Sequence, residues 1–210
     1  MTVTRLKATG RNAARTRVEL DGEVWAEIDT EVVLKWQLVR GQELDTDEQT
    51  RLLEDDACVR ARRAAARLLH ARPRARRELE QRLLQKEFAP SVVERTLDYF
   101  EEKGDLNDAA FARRYAAHML KTRSTIGPRK LALKLRQLGV ADRHIDDALA
   151  ESAIASDEEQ RRRCEILARK KLASMRRLDP LKRRRRLQGA LARAGFSPEV
   201  YSTVLRDMLE

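Results

Sequence analysis

Two periodicities divide the chain. Near its start polar and apolar residues alternate, in Thr2-Val3-Thr4-Arg5-Leu6-Lys7-Ala8, in Arg15-Thr16-Arg17-Val18-Glu19-Leu20 and in Glu23-Val24-Trp25-Ala26-Glu27-Ile28. Asp21-Gly22 separates the last two, and such a pair signals a hairpin because glycine accepts positive φ. Asp29 or Thr30 is placed to cap a helix through Leu38, with Gly41 to end it, and Asp45 to Asp56 reads as another helix start. Residues 1–56 are therefore expected to form a small β-hairpin with helices.

Beyond them the spacing becomes helical and repeats. Leu79-x3-Leu83-x4-Phe88-x8-Leu97 aligns with Leu131-x3-Leu135-x4-Val140-x8-Leu149 and with Leu187-x3-Leu191-x4-Phe196-x8-Leu205, at offsets of 52 and 56 residues. Leucines at i and i+4 share a helix face, and the next apolar residue falls in a turn before a second helix. Gly139 and Gly195 stand just before that turn residue, where a helix C-terminus favours positive φ. The first repeat has Glu87 there, so its turn is expected to be made differently. Pro90 and Pro198 fall where the following helix begins. A further apolar-periodic stretch precedes each pair, Ala57–Ala71, Asn107–Thr122 and Asp157–Met175, and Arg72-Pro73, Gly127-Pro128 and Asp179-Pro180 break the chain after it. The expectation is a mainly α fold: three tandem three-helix repeats, residues 57–105, 106–156 and 157–210, each with helices of about 15 residues and together forming an elongated, curved array. Such units bury little surface alone and stack on their neighbours.

Composition agrees and adds a charge pattern. Charged residues make up 37% of the 210 and aromatics only 4%, so the core rests on Leu, Ala and Val. Residues 1–56 hold 8 Lys/Arg against 13 Asp/Glu, whereas residues 57–210 hold 36 against 21. That change of sign marks 56 as a natural boundary and draws the second part towards polyanions or acidic protein surfaces. Cys58 and Cys164 lie far apart inside helical stretches, as reduced thiols of a cytoplasmic protein would. Neither a signal peptide nor a membrane span is expected.

Candidate chemistry is sparse. The eight glycines form no phosphate-binding loop; His70, His118 and His144 have no ligand spacing with a cysteine; and no serine sits in a nucleophile elbow. No enzyme activity, metal or cofactor is expected. What remains is basic. With the repeated leucines facing inward and about 100° per residue, Arg74 and Arg77, then Arg129, Lys130 and Arg136, then Lys182, Arg185, Arg186 and Arg193 point outward on the second helix of each unit. Arg183 and Arg184 flank the apolar stripe and can cover it with their stems. Three such faces suit an extended anionic partner; the plainer alternative is a set of solvated helices. Leu131–Leu149 also has the helix-turn-helix form of DNA-binding proteins, but the helix after the turn carries Asp142, Asp146 and Asp147, a poor match to a groove lined with phosphates.

The sequence resembles the RecX family of bacterial recombination regulators. The resemblance runs through Leu20-Asp21-Gly22-Glu23, Leu68-Leu69 with Arg72 and Glu78-Leu79, and is sharpest in Glu102-Lys103-Gly104-Asp105-Leu106-Asn107-Asp108-Ala109-Ala110-Phe111-Ala112. It continues in Gly127-Pro128-Arg129-Lys130-Leu131, Leu138-Gly139-Val140 and Ala194-Gly195-Phe196; Glu87 and Ala75 depart from it. It implies a monomer in isolation that binds the RecA filament on single-stranded DNA along its helical groove, with direct DNA contact an open question. It also implies restraint of RecA ATP hydrolysis, filament growth and strand exchange. The alternative is a free-standing nucleic-acid-binding or transcription-regulatory protein acting without RecA.

Overall fold

The computed structural model describes residues 1–10 and 13–209. Arg11 and Asn12 of the N-terminal module and Glu210 of the third repeat lie outside the described residues. The contacts gather into two units, residues 1–72 with 79–105, and residues 73–78 with 106–210.

In the first unit three strands, β1 (Val3–Thr9), β2 (Arg15–Leu20) and β3 (Glu23–Asp29), form an antiparallel sheet in sequence order. The expected hairpin is present: Asp21 (φ 48°) and Gly22 (φ 91°) make its two-residue turn. The first alternating stretch adds a third strand, pairing Leu6 with Val18. Alternation buries Val18, Leu20 and Ile28 against α1 (Thr30–Lys35) and α2 (Thr46–Ala71). Asp29 caps α1, accepting a 3.1 Å hydrogen bond from the Glu31 amide. The helix stops at Lys35, not Leu38, because Gln37 takes φ 50° and the Leu38 amide turns back to the Val33 carbonyl, placing Leu38 in the core. Nothing in a glutamine announces that turn.

Residue 56, expected at a boundary, falls inside a helix. It lies midway along α2, one helix of 26 residues opened by an Asp45–Glu48 capping box. Asp56 ties that helix to the sheet: its buried carboxylate accepts from the Asp29 amide (2.7 Å), from Arg15 (3.0 Å) and from Arg60 (2.9 Å). The charge changes sign inside this helix, where the backbone continues unbroken. The same helix then packs on α4 (Pro90–Glu102), with Cys58, Ala61 and Val92 buried between them.

The second unit holds α5 (Asp108–Thr122), α6 (Pro128–Gln137), α7 (Asp142–Ala150), a 3-10 turn (Ala153–Ala155), α8 (Asp157–Ala173), α9 (Pro180–Arg193) and α10 (Pro198–Leu209). It also takes the first turn of α3 (Arg76–Leu84). Of the repeated leucines, Leu79, Leu83, Leu97, Leu131, Leu135, Leu187, Leu191 and Leu205 are buried, while Leu149 is half-buried.

The three inter-helix turns are built alike. Glu87, Gly139 and Gly195 all have positive φ (63°, 87° and 93°), and the Phe88, Val140 and Phe196 amides each reach back to the carbonyl of Leu83, Leu135 or Leu191. Glu87 therefore does not change the turn. The two glycines answer a second demand that the exposed Glu87 escapes. A Cβ on Gly139 would lie 2.3 Å from Arg77 Cβ, and one on Gly195 would lie 2.3 Å from the Lys130 amide nitrogen and 2.6 Å from Lys130 Cβ. The starts of α3 and α6 thus each rest on the turn of the next repeat. Gly127 meets Gly195 from the other side, its amide donating to the Ala194 carbonyl (2.8 Å) while the Arg129 amide donates to Gly195 (3.1 Å). Free amides at the start of α6 meet free carbonyls at the end of α9, so each terminus satisfies the other.

Replacing Gly195 with alanine should cost about 3 kcal/mol, combining left-handed strain with overpacking. Gly104→Ala, with φ 76° and open space around it, should cost only about 1 kcal/mol. Thermal unfolding of the two variants compares them; equal losses would contradict the packed junction.

Candidate functional site: cationic second helices and a junction cavity

Backbone geometry at the junctions fixes where the basic side chains emerge. Arg77 and Lys130 lay their stems on Gly139 and Gly195 and are exposed, so apolar methylenes pack while the charge stays in water. Arg129 is exposed beside Lys130. In α9, Asp179 caps the helix by accepting from the Leu181 (3.1 Å) and Lys182 (3.2 Å) amides, and Lys182, Arg185, Arg186 and Arg193 are exposed along it. Leu181, 75% exposed, stands one helical turn from Arg185.

Two of the expected cations are placed otherwise. Arg74 does not point outward: its side chain is 10% exposed and ion-paired with Glu78. Arg136 is exposed but pairs with Asp142, which offsets its charge. The acidic face foreseen for α7 is present, with Asp142, Asp146 and Asp147 all exposed.

The structure also gathers basic residues that spacing alone left scattered. Lys130 and Arg193 share the rim of a cavity of about 590 Å3 with Arg123, Lys170 and Lys171. Arg123 follows α5, and the two lysines end α8. These three lie outside the second helices, so a search confined to that face could not find them. The only sequence signal was the Lys170-Lys171 pair.

Arg163, 7% exposed, holds this region together. Its guanidinium donates to the Leu120 (3.1 Å) and Arg123 (3.2 Å) carbonyls at the end of α5 and to Glu159 (2.7 Å). A cation among unsatisfied helix carbonyls is doubly stabilised, by hydrogen bonding and by the helix dipole. Hydrogen bonds from Arg162 and then from Arg163 hold the Glu159 carboxyl down at about 2.

The free cysteines are buried. Burial pushes the Cys164 thiol up to about 12 and raises that of Cys58 as well, the opposite of what a nucleophilic thiolate requires. No group of three or more His, Cys, Asp or Glu able to hold a metal ion occurs among the described residues. None of the described helices is long and apolar enough to cross a membrane.

Comparison with known proteins places the repeats. Family models for the first, second and third three-helix domains of RecX match residues 61–100, 107–149 and 157–205. Regulatory protein RecX of Streptomyces coelicolor is 39% identical over 155 residues, 74% of this chain and 80% of that one. Its counterpart in Bacillus subtilis is 29% identical over 208 residues, 99% of this chain and 77% of that one. A crystal structure of regulatory protein RecX superposes with a TM-score of 0.79 at 25% identity, covering 97% of this chain and 98% of that one.

Arg163→Met keeps most of the volume but leaves the buried Leu120 carbonyl and the Arg123 carbonyl without this donor, and removes one of the donors to Glu159. It should destabilise the protein by about 2–4 kcal/mol at neutral pH, measured by urea unfolding; a loss below 1 kcal/mol would contradict the clasp. Because the Glu159 pKa is lowered on folding, its contribution is complete above pH 4.5 and fades as pH falls towards 2. The difference between wild type and Glu159→Gln should shrink over that same interval.

Proposed function

The chain belongs to the RecX family, and on that premise we propose that it regulates homologous recombination by binding the RecA filament on single-stranded DNA. Binding along the filament's helical groove would inhibit RecA ATPase, filament growth and strand exchange. Family membership carries the reading, and the placement of charge supports it. Arg77 on α3, Arg129 and Lys130 on α6, and Lys182, Arg185 and Arg186 on α9 are exposed cations carried by successive repeats. A periodic ligand of this kind suits a periodic acidic partner. Leu181 supports a protein component in that partner, because an exposed leucine among cations gains nothing from a phosphate but can be buried against protein.

The mechanism is mechanical and electrostatic. Repeats lying across neighbouring RecA subunits would hold them in one arrangement, and a filament that must rearrange to hydrolyse ATP or to grow would be restrained. No bond is made or broken by this chain. The reading as a free-standing helix-turn-helix regulator finds less support, since the helix after the turn, α7, exposes three aspartates where a DNA reader needs cations.

Reversing charge at Arg129, Lys130, Arg185 and Arg186 together should weaken binding to RecA-coated DNA by about one to two orders of magnitude at low salt. Inhibition of RecA ATPase should fall with it. A folded variant that inhibits as well as wild type would refute this assignment of the face.

A further inference from the structure

Several guanidinium groups near the junction of the second and third repeats have an acidic partner: Arg113 pairs with Glu151, Arg136 with Asp142, Arg161 with Glu165 and Asp207, and Arg162 and Arg163 with Glu159. The cavity there gathers cations that have none. Arg123, Lys130, Lys170, Lys171 and Arg193 line it without a carboxylate, and none of the five forms an ion pair among the described residues. Five like charges around one concavity repel one another, and the concave wall concentrates their field. The free protein bears that repulsion; an anion that enters relieves it.

We propose that this cavity binds the phosphodiester backbone of a single nucleic-acid strand. The inference deepens the regulator reading, on which it rests for the identity of the strand as the DNA that RecA coats. Three features favour a strand over an acidic protein surface. The first is size: one turn of α-helix 10 Å wide occupies about 400 Å3, so a folded surface could place little more than one turn in 590 Å3, whereas a flexible strand can follow the concavity. Next, the cations stand on three elements, the α5–α6 connection with the start of α6, the end of α8 and the end of α9. Successive phosphates on one backbone can reach all three. Finally, Ser124 and Thr125 add hydroxyl groups to the lining, while Ile126, Ile166 and Leu167 add apolar surface without an aromatic ring. Cations and hydroxyls suit phosphate and sugar, and with no aromatic ring to stack on, the bases are left unread.

The test compares wild type with Lys170→Gln/Lys171→Gln/Arg193→Gln, whose three positions are exposed and whose unfolding temperature checks the fold. Lys7→Gln/Arg40→Gln/Arg51→Gln, exposed residues far from the cavity in sequence, matches the change in charge. Fluorescence anisotropy with a labelled single-stranded oligonucleotide, without RecA, reads the affinity. The cavity variant should bind about tenfold or more weakly, and its dependence of log K on log salt should flatten by about 2; the control should stay within about twofold of wild type. Equal affinity and salt slope for wild type and the cavity variant would overturn the inference. So would a cavity variant that binds the oligonucleotide normally but loses binding to poly-glutamate, which would assign the cavity to an acidic polypeptide. RecA ATPase measured with wild type separates the two claims. If wild type fails to inhibit, the regulator reading falls whatever the oligonucleotide shows. If wild type inhibits and the cavity variant binds the strand undiminished, only the cavity assignment falls.

Discussion

The start of one repeat's second helix presses on the turn of the next repeat closely enough to leave no room for a Cβ. Between the second and third repeats both sides of that contact are glycine, Gly127 and Gly195, and two backbone hydrogen bonds cross it. Much follows from this approach. It turns the free amides of α6 and the free carbonyls of α9 into each other's caps. It sets the distance at which α6 stands from α9, and so the width of the cavity between them. It also forces the side chain of Lys130 outward, because its stem has only the surface of the turn to lie on. Arg77 stands on Gly139 for the same reason. Packing of backbone against backbone thus decides where charge is displayed.

This explains why the chain's chemistry is spread and not concentrated. Its buried ionic groups are spent on architecture: Asp56 joins sheet to helix, Asp29 caps α1, and Arg163 closes the end of α5. The thiols are buried and hard to ionise. For the proposed recognition the chain offers exposed cations, each weak alone in water, which would act through number and placement. A ligand built this way gains affinity by matching a long partner at several points, and a filament is such a partner.

The sequence showed the repeat clearly because leucine at i and i+4 has one simple cause, a buried helix face, and the three copies reinforce each other. The hairpin was equally legible in Asp21-Gly22. Other features were hidden for physical reasons. Alternation marked all three strands but could not say that the first pairs with the second. Gln37 and Glu87 adopt positive φ without being the residues that usually signal it, so one helix ends early and one turn keeps a form its composition argued against. The run of charge around Asp56 looked like a joint, since a count of charges cannot distinguish acids facing water from acids clamping a sheet. In the candidate site, helical rotation found the exposed residues of α6 and α9 but misplaced Arg74, whose ion pair with Glu78 lies among packed neighbours. It also missed Arg123, Lys170 and Lys171, which only tertiary packing brings to Lys130 and Arg193.

On the proposed reading, this surface fits a protein-coated strand better than either a bare strand or free protein. Equilibrium binding of the labelled chain to single-stranded DNA, to RecA without DNA and to RecA-coated single-stranded DNA, at one physiological salt concentration, tests it most directly. The account predicts binding to the coated strand tighter than to either component by about 2 kcal/mol or more, roughly thirtyfold. Equal affinity for bare and coated strands would contradict it and leave a nucleic-acid-binding protein that acts without RecA.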